Sequence, residues 1–182
     1  ESSRGRFVAG DLDLETLAGA IDACGKSDRG GTGILACLGD ETAMAEAMEA
    51  DYASKERTVN MLRKLDEKGL TQMSNFQYFE SEASGFTGNL CGIAMQYIGD
   101  RTKPTIALSL SEDSIKVSAR GTHAQLERGV DLAEAMRKAA DSVGGEGGGH
   151  RIASGASFPT DRKQDFLENL DAIIGDQVGP AK

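Results

Sequence analysis

The sequence contains no tryptophan, and aromatic residues make up only 5% of its 182 positions. Hydrophobic residues nevertheless account for 39% of the chain, so we expect a core of Leu, Ile, Val, Ala and Met side chains. A chain of this length buries roughly 70% of its unfolded surface on folding. It therefore needs neither disulfides nor a metal ion for stability, and it suits one globular domain or a compact domain with a helical attachment.

Cysteines and long apolar runs are also scarce. Cys24, Cys37 and Cys91 are far apart and form no Cys-x-x-Cys pair, which argues against a zinc site and against a disulfide framework. We therefore expect free thiols in a reducing, cytoplasmic setting. No apolar run approaches the roughly 18 residues that a membrane span needs, so we expect a soluble protein without a membrane partner. The chain begins at Glu1 rather than Met, as a piece of a longer protein would.

Acidic residues outnumber basic ones, and the formal net charge is −9. This charge weighs against nonspecific binding of nucleic acid over the whole surface. Two stretches are nevertheless basic: one runs from Ser114 to Arg128, with Glu127 as its only acid, and one runs from His150 to Lys163. Each stretch alone is compatible with ordinary surface charge. Together they suit a protein that binds phosphate at one local place.

The first 70 residues are predicted to be mostly helical. Apolar residues recur every three to four positions between residues 11 and 24, which predicts an amphipathic helix ended by Gly25. The glycines of residues 30–33 predict a turn. A long helix is predicted from Glu41 to Lys68 by its capping signals and apolar side. We therefore expect residues 1–70 to form a helical linker or connector.

From residue 71 onward, predicted strands alternate with predicted helices. This alternation predicts an α/β domain over residues 71–182, with a mixed sheet flanked by helices. The predicted strands lie around residues 76–79, 105–110, 114–119 and 156–158. The predicted helices cover residues 89–98, 131–142 and 161–174.

A glycine run, Gly-Gly-Glu-Gly-Gly-Gly-His, occupies residues 144–150 and is predicted to be a loop between a helix and a strand. Glycines let the backbone approach a ligand and expose its N–H groups to phosphate oxygens. The order of helix, loop and strand excludes the Walker and dinucleotide-binding loops, which run from strand to helix. His150 can donate a hydrogen bond to phosphate. On composition alone, a flexible linker is equally compatible with the run.

Arg120 lies at the end of a predicted strand, where α/β proteins place ligand-binding groups. Its guanidinium can donate two hydrogen bonds to one phosphate, which a lysine cannot do. Without the glycine run, Arg120 would be interpreted as part of a surface ion pair. The two features together favour a phosphate site.

Three segments resemble the DHH-associated C-terminal domain of DHH-superfamily phosphoesterases, which include RecJ-like exonucleases and nano-RNases. The segments are Ile-Lys-Val-Ser-Ala-Arg at 115–120, Gly-Val-Asp-Leu at 129–132 and Gly-Gly-Gly-His-Arg-Ile-Ala-Ser-Gly-Ala at 147–156. The Gly-Gly-Gly-His run followed by Ala-x-Gly-Ala is the most specific of these marks. Residues 21–26 are similar to the Asn-Ala-Cys-Gly-Arg segment of RecJ-like proteins, but Asp22 and Lys26 depart from it.

The resemblance implies that this domain closes over a catalytic cleft and holds phosphate there. By motif position, the implied phosphate-binding residues are Arg120, Gly147, Gly148, Gly149 and His150, with Ser118 as a weaker member. The implied ligand is the end of a single-stranded DNA or RNA, or a small nucleotide.

In that family an N-terminal domain holds two metal ions, Mn or Mg, through aspartates and an Asp-His-His motif, and the metal pair activates water for attack on a phosphodiester. The two histidines here, His123 and His150, do not lie in such a motif. We therefore expect no catalytic residue, metal ligand or cofactor in this chain. We expect its partner to be a catalytic domain of the same protein, and we expect the chain alone to hydrolyse nothing.

Two other interpretations stay open. One is a noncatalytic nucleic-acid-binding or interaction domain, because alanyl-tRNA synthetases carry a related C-terminal domain and replisome proteins carry degenerate versions. The other is a phosphodiesterase for small nucleotides such as cyclic dinucleotides, or for polyphosphate. The helical segment before residue 71 favours the RecJ-like arrangement over that of the synthetases.

Overall fold

A computed structural model of the protein describes residues 8–9, 12–81 and 86–179. The chain divides into two units, Glu1–Asn60 and Met61–Lys182. The described elements that begin in the first unit are the paired short strands β1 (Val8–Ala9) and β2 (Leu12–Asp13), followed by the helices α1 (Leu14–Lys26), α2 (Gly30–Cys37) and α3 (Glu41–Lys68).

Side-chain caps start two of these helices. The Asp13 carboxylate accepts a hydrogen bond from the Glu15 amide at 3.2 Å, and the Asp40 carboxylate accepts one from the Ala43 amide at 2.8 Å. Such caps satisfy amides that have no partner within the helix. The buried core of this unit consists of small side chains: Ala20, Cys24, Ala36, Ala43 and Ala47.

Two local predictions in this region are wrong. Helix α1 continues through Gly25 to Lys26, and the predicted turn at residues 30–33 is the first half of α2. The packing of α2 explains the second difference. A Cβ on Gly33 would lie 3.3 Å from the Cβ of Cys24, so the glycine lets α2 approach α1 closely. Tertiary packing here outweighs the low helix propensity of glycine.

The second unit contains a six-stranded sheet in the order β3-β4-β5-β6-β8-β7, counted over the described residues. Strands β4 and β5 pair in parallel, and the other neighbours pair antiparallel. The elements are β3 (Thr71–Gln72), β4 (Gln77–Ser81), α4 (Thr87–Tyr97), β5 (Thr105–Leu110), β6 (Ser114–Arg120), α5 (His123–Glu127), α6 (Leu132–Asp141), β7 (Glu146–His150), β8 (Ala153–Pro159) and α7 (Lys163–Val178), the last preceded by a 3₁₀ turn (Thr160–Arg162). The predicted α/β fold, with a mixed sheet, flanking helices and a preceding helical segment, is confirmed.

The alternation of side chains along β6 separates the two faces of the sheet. Ile115, Val117 and Ala119 are buried in the main core, against α6 and α7. Lys116, Ser118 and Arg120 lie on the opposite face. Helix α4 packs on that opposite face, where its apolar side chains contact β4 and β5. We call it the α4 face.

The glycine run is not the predicted loop. Residues 146–150 form β7, an edge strand that pairs antiparallel with β8. One reason is the close approach of α6, since a Cβ on Gly147 would lie 2.5 Å from the carbonyl oxygen of Met136. The run therefore forms part of the sheet, and its residues have fixed partners on the neighbouring strand.

Candidate functional site

Arg120 and His150 occupy the same row of the sheet. Arg120 pairs with Ala153 of β8, and Ala153 pairs in turn with His150 of β7. Paired residues project to the same face, and neighbouring strands lie about 4.8 Å apart, so the Cα atoms of Arg120 and His150 are about 10 Å apart. Only the methyl group of Ala153 stands between them in this row. Two side chains that can donate hydrogen bonds to an anion thus lie in one row at the end of the sheet.

The next row of the α4 face is nearly bare of side chains. It consists of Ser118, Gly155 and Gly148 on β6, β8 and β7. A Cβ on Gly155 would lie 2.9 Å from the Val117 carbonyl oxygen, whereas a Cβ on Gly148 would meet nothing within 4 Å. The Ser118 side chain is half-buried. A ligand on this face would lie against the backbone of β8 and β7.

The three glycines before His150 differ in what surrounds them. Gly147 lies against the backbone of α6. Gly149 has a φ of +137°, and its Cβ would lie 2.9 Å from the Ala153 carbonyl oxygen. Gly148 has a φ of +151° and open space beside it. The structure therefore brings Gly148, Ser118, Arg120 and His150 onto one face, while packing and backbone conformation account for Gly147 and Gly149.

The guanidinium of Arg120 lies against the first turn of α4. Its Nη1 donates a hydrogen bond to the Ala119 carbonyl oxygen at 2.9 Å. Its Nη2 lies where a side chain at Gly88 would point, since a Cβ there would be 2.9 Å away. Of the ion pairs formed by the described residues, none involves Arg120. The positive end of the α4 dipole adds to its charge.

Cys91 connects α4 to the sheet close to this arginine. Its sulfur lies 3.1 Å from the carbonyl oxygen of Thr105 and 3.4 Å from that of Ser118, and its single S–H proton is shared between these two acceptors. Burial raises the pKa of Cys91 to about 12, although the nearby charge of Arg120 opposes the rise. The thiol is therefore neutral at physiological pH and is not a nucleophile.

The turn that follows His150 is tied to its surroundings. The Ser154 hydroxyl donates a hydrogen bond to the His150 carbonyl oxygen at 2.6 Å, and Arg151 Nε donates one to Asp131 at 2.7 Å. Partial burial would raise the pKa of Asp131, but hydrogen bonds from the Glu134 amide and from Arg151 outweigh it and hold that pKa below its usual value. The N-terminus of α6 and the β7–β8 turn are thereby joined, which fixes the backbone that carries His150.

Sequence reasoning missed Gly88 and Cys91 as parts of this site. The sequence predicted a helix that begins at residue 89, after Gly88, and Cys91 was expected to be one of three free thiols. Their contacts with β6 bridge about 30 positions of sequence, and no local pattern marks such contacts.

The site does not have the composition of a metal centre. Within the described ranges, no group of three or more His, Cys, Asp or Glu residues is placed to hold a metal ion. His123 begins α5 and is exposed. Manganese or magnesium, which prefer several oxygen ligands, therefore do not fit the site around Arg120. Among the helices of the described chain, none is long and apolar enough to cross a membrane.

The comparison with protein families decides what the domain is. The model of the DHHA1 domain matches residues 75–176, which run from just before β4 to the last turns of α7 and include every residue of the site. This chain belongs to the DHHA1 domain family. The resemblance found in the sequence is thus confirmed: the chain carries the DHHA1 domain of the DHH superfamily.

Individual relatives agree with this assignment. The uncharacterized protein MJ0831 of Methanocaldococcus jannaschii is 32% identical over 166 residues, which cover 91% of this chain and 36% of that protein. This chain thus spans about a third of the curated relative. RecJ of Thermus thermophilus, in complex with Mn²⁺, is similar with a TM-score of 0.70 and 17% identity over 91% of this chain and 24% of RecJ. CDC45 of Entamoeba histolytica has a TM-score of 0.55 and 8% identity over 90% of this chain and 38% of CDC45. The two structures show a shared fold.

Proposed function

We propose that this DHHA1 domain is the substrate-holding part of a RecJ-like single-strand exonuclease or phosphoesterase. Arg120 and His150 hold one phosphate of a nucleic-acid end between them, above Gly148. Ser118 is a secondary contact, and Gly147 and Gly149 shape the strand that carries His150. The observation that supports this proposal is the shared row of Arg120 and His150, whose Cα atoms lie about 10 Å apart with only Ala153 between them.

The charge of Arg120 is available to such a ligand. Its guanidinium donates one hydrogen bond, to the carbonyl oxygen of the preceding residue Ala119, and makes no ion pair with the described residues. A phosphate placed there receives charge-assisted hydrogen bonds, which contribute roughly 1.5–3 kcal/mol each. The bare backbone of β7 and β8 gives the ligand steric access.

The chemistry itself is proposed to take place on another domain of the full-length protein. Two metal ions there, manganese or magnesium, would activate water, while this domain presents the phosphate to them. Residues 1–70 act as the helical connector between that domain and residues 71–182. Free cysteines in the described chain support a reducing, cytoplasmic location. Alone, this chain hydrolyses nothing.

Titration of a short 5′-phosphorylated single strand tests the phosphate site. Binding is followed by fluorescence anisotropy for the wild type and for the variants Arg120→Ala and His150→Ala. We expect Arg120→Ala to raise Kd about 10-fold or more, because it removes at least one charge-assisted hydrogen bond. Arg120→Lys should restore only part of the lost affinity, since an ammonium group cannot bind a phosphate in the bidentate geometry of a guanidinium.

Arg137→Ala is the matched control. Arg137 is an exposed arginine of α6, on the other side of the sheet, and its Nη1 lies 3.5 Å from Asp141. Its removal changes the net charge equally and should leave Kd unchanged. The salt dependence should be shallow, with a slope of about −0.7 for each phosphate that is held. Equal binding by wild type, Arg120→Ala and His150→Ala would refute the phosphate site. Mn²⁺-dependent nuclease activity of the purified chain would refute the proposal that catalysis takes place on another domain.

A further inference from the structure

A surface pocket lies next to the phosphate site and is not used by it. Its volume is about 280 Å³, and it is lined by Met95, Gln96 and Tyr97 from the end of α4, by Arg101 from the following loop and by Thr122 at the start of α5. Sites for drug-sized ligands have volumes of roughly 300–1,000 Å³. A pocket slightly below that range suits one flat ring system rather than a larger ligand.

The pocket adjoins Arg120 along the chain and on the same side of the sheet. Thr122 follows Arg120 by two residues, so their Cα atoms are at most about 7 Å apart. Helix α4 carries Gly88, against the Arg120 guanidinium, in its first turn and the three pocket residues at its C-terminal end, about 10–14 Å further along the helix. Arg101 leads into β5, and the sheet order places β5 and β7 on opposite sides of β6. The pocket therefore lies on the side of Arg120 that faces away from His150.

The lining side chains have the chemistry of a stacking site. Tyr97 is 76% exposed, so its ring is accessible. The Arg101 guanidinium is fixed by two hydrogen bonds to the Gln96 carbonyl oxygen, from Nε at 3.1 Å and Nη2 at 2.7 Å. Aromatic rings and planar guanidinium groups both stack on nucleobases. Of the described residues that line the pocket, none is acidic, and Arg101 brings a positive charge to it.

We propose that this pocket binds a nucleobase, belonging to the nucleotide next to the one whose phosphate Arg120 holds. The domain then prefers single strands of two or more nucleotides to mononucleotides and other small anions. This inference rests on the proposed function and adds a substrate class to it. Stacking tolerates any base, because every base has a π face, so no sequence preference is expected.

The test measures how affinity depends on the length of the ligand. Kd is determined for 5′-phosphorylated mono-, di- and trinucleotides by competition against a labelled single strand. We expect the wild type to bind the dinucleotide at least about five-fold more tightly than the mononucleotide, which is the lower limit for stacking one base on an aromatic side chain. Tyr97→Ala should abolish this advantage without changing the mononucleotide Kd. Tyr97→Phe should keep the advantage, since the ring remains.

Tyr52→Ala is the matched control, because Tyr52 is 72% exposed on α3 and does not line this pocket. It should leave all three affinities unchanged. The proposal is overturned if Tyr97→Ala weakens mono- and dinucleotide equally, or weakens neither. The base pocket and the phosphate site can be refuted separately. If Arg120→Ala weakens binding of the dinucleotide and Tyr97→Ala does not, only the base pocket is refuted. If Tyr97→Ala weakens binding and Arg120→Ala does not, only the phosphate site is refuted. Because the Tyr97 ring is largely exposed, its truncation should leave the thermal melting temperature nearly unchanged.

Discussion

Replacing Gly88 with alanine tests the position of the Arg120 guanidinium without touching the arginine itself. A Cβ on Gly88 would lie 2.9 Å from Nη2 and 3.9 Å from Cζ of Arg120, and 3.7 Å from the Ser118 hydroxyl oxygen. The first distance is too short for a carbon and a nitrogen that are not bonded. Because Nη2 is the far end of a flexible side chain, we expect the guanidinium to move and the backbone to stay. The variant should therefore fold and bind phosphate poorly.

The expected change in stability is small. Alanine in place of glycine in a helix stabilises by roughly 0.5–1 kcal/mol, and forcing the arginine away from its preferred rotamer costs about 0.5–1.5 kcal/mol. The free energy of unfolding should thus change by no more than about 1 kcal/mol. The expected loss in affinity is larger, since a displaced guanidinium forfeits a charge-assisted hydrogen bond of roughly 1.5–3 kcal/mol. Kd should rise about 10-fold, up to the value of Arg120→Ala.

Gly92 provides the matched control in the same helix. A Cβ there would meet nothing within 4 Å, so Gly92→Ala should stabilise by roughly 0.5–1 kcal/mol and leave Kd unchanged. Stability is measured by urea unfolding and Kd by anisotropy with the 5′-phosphorylated strand. The double variant Gly88→Ala/Arg120→Ala should bind no more weakly than Arg120→Ala alone, because both changes remove the same interaction. Binding by Gly88→Ala as tight as by Gly92→Ala, or additive losses in the double variant, would refute the reasoning.

Three further predictions concern stability and reactivity. Gly147→Ala should destabilise by about 1–3 kcal/mol in urea unfolding, because its Cβ would overlap the backbone of α6; a loss below about 0.5 kcal/mol would contradict that packing. Asp131→Asn keeps an N-cap but loses the charge paired with Arg151. Since the pKa of Asp131 is held low, its charge stabilises the fold above the ordinary carboxyl pKa of about 3.9, and this contribution is lost as the pH falls through the lowered value. The stability difference between wild type and Asp131→Asn should therefore be present at pH 7 and vanish in acid, and a pH-independent difference would contradict the assignment. Iodoacetamide at pH 8 should alkylate the exposed Cys37 and spare the buried Cys91, whose pKa is about 12, and mass spectrometry of the native protein would reveal the opposite result.

Elements with strong local signals were predicted well from the sequence. Helix α3 begins at Glu41 and ends at Lys68 as predicted, because a capping aspartate precedes it and a glycine with positive φ follows it. Strand β5 also has the predicted bounds, and α6, predicted over residues 131–142, covers Leu132–Asp141 with Asp131 as its N-cap. For the two helices, capping residues at the boundary set where the helix begins.

The predictions of secondary structure were wrong where they relied on the general tendency of glycine to form turns and loops. In α2 and β7, neighbouring elements decide the conformation: Gly33 lies against α1, and Gly147 lies against α6. The capping box formed by Thr122 and Gln125 at the start of α5 is a local sequence pattern from which this short helix could have been predicted. Contacts between distant segments, such as that of Gly88 with Arg120, cannot be read from either segment alone.

The topology explains why the motifs alone could not define the site. Strand β8 lies between β6 and β7, although it follows both in sequence, and the position of Arg120 opposite His150 depends on that insertion. The same arrangement separates three glycines that look equivalent in the sequence. Substitution of Gly147 or Gly149 disturbs backbone that packs against α6 or β8. A loss of ligand binding in those variants would therefore reflect a disturbed fold and not a lost contact with the ligand. A Cβ on Gly148 would meet no atom of the described residues within 4 Å, so among the three glycines it alone leaves bare backbone at the position proposed for the phosphate.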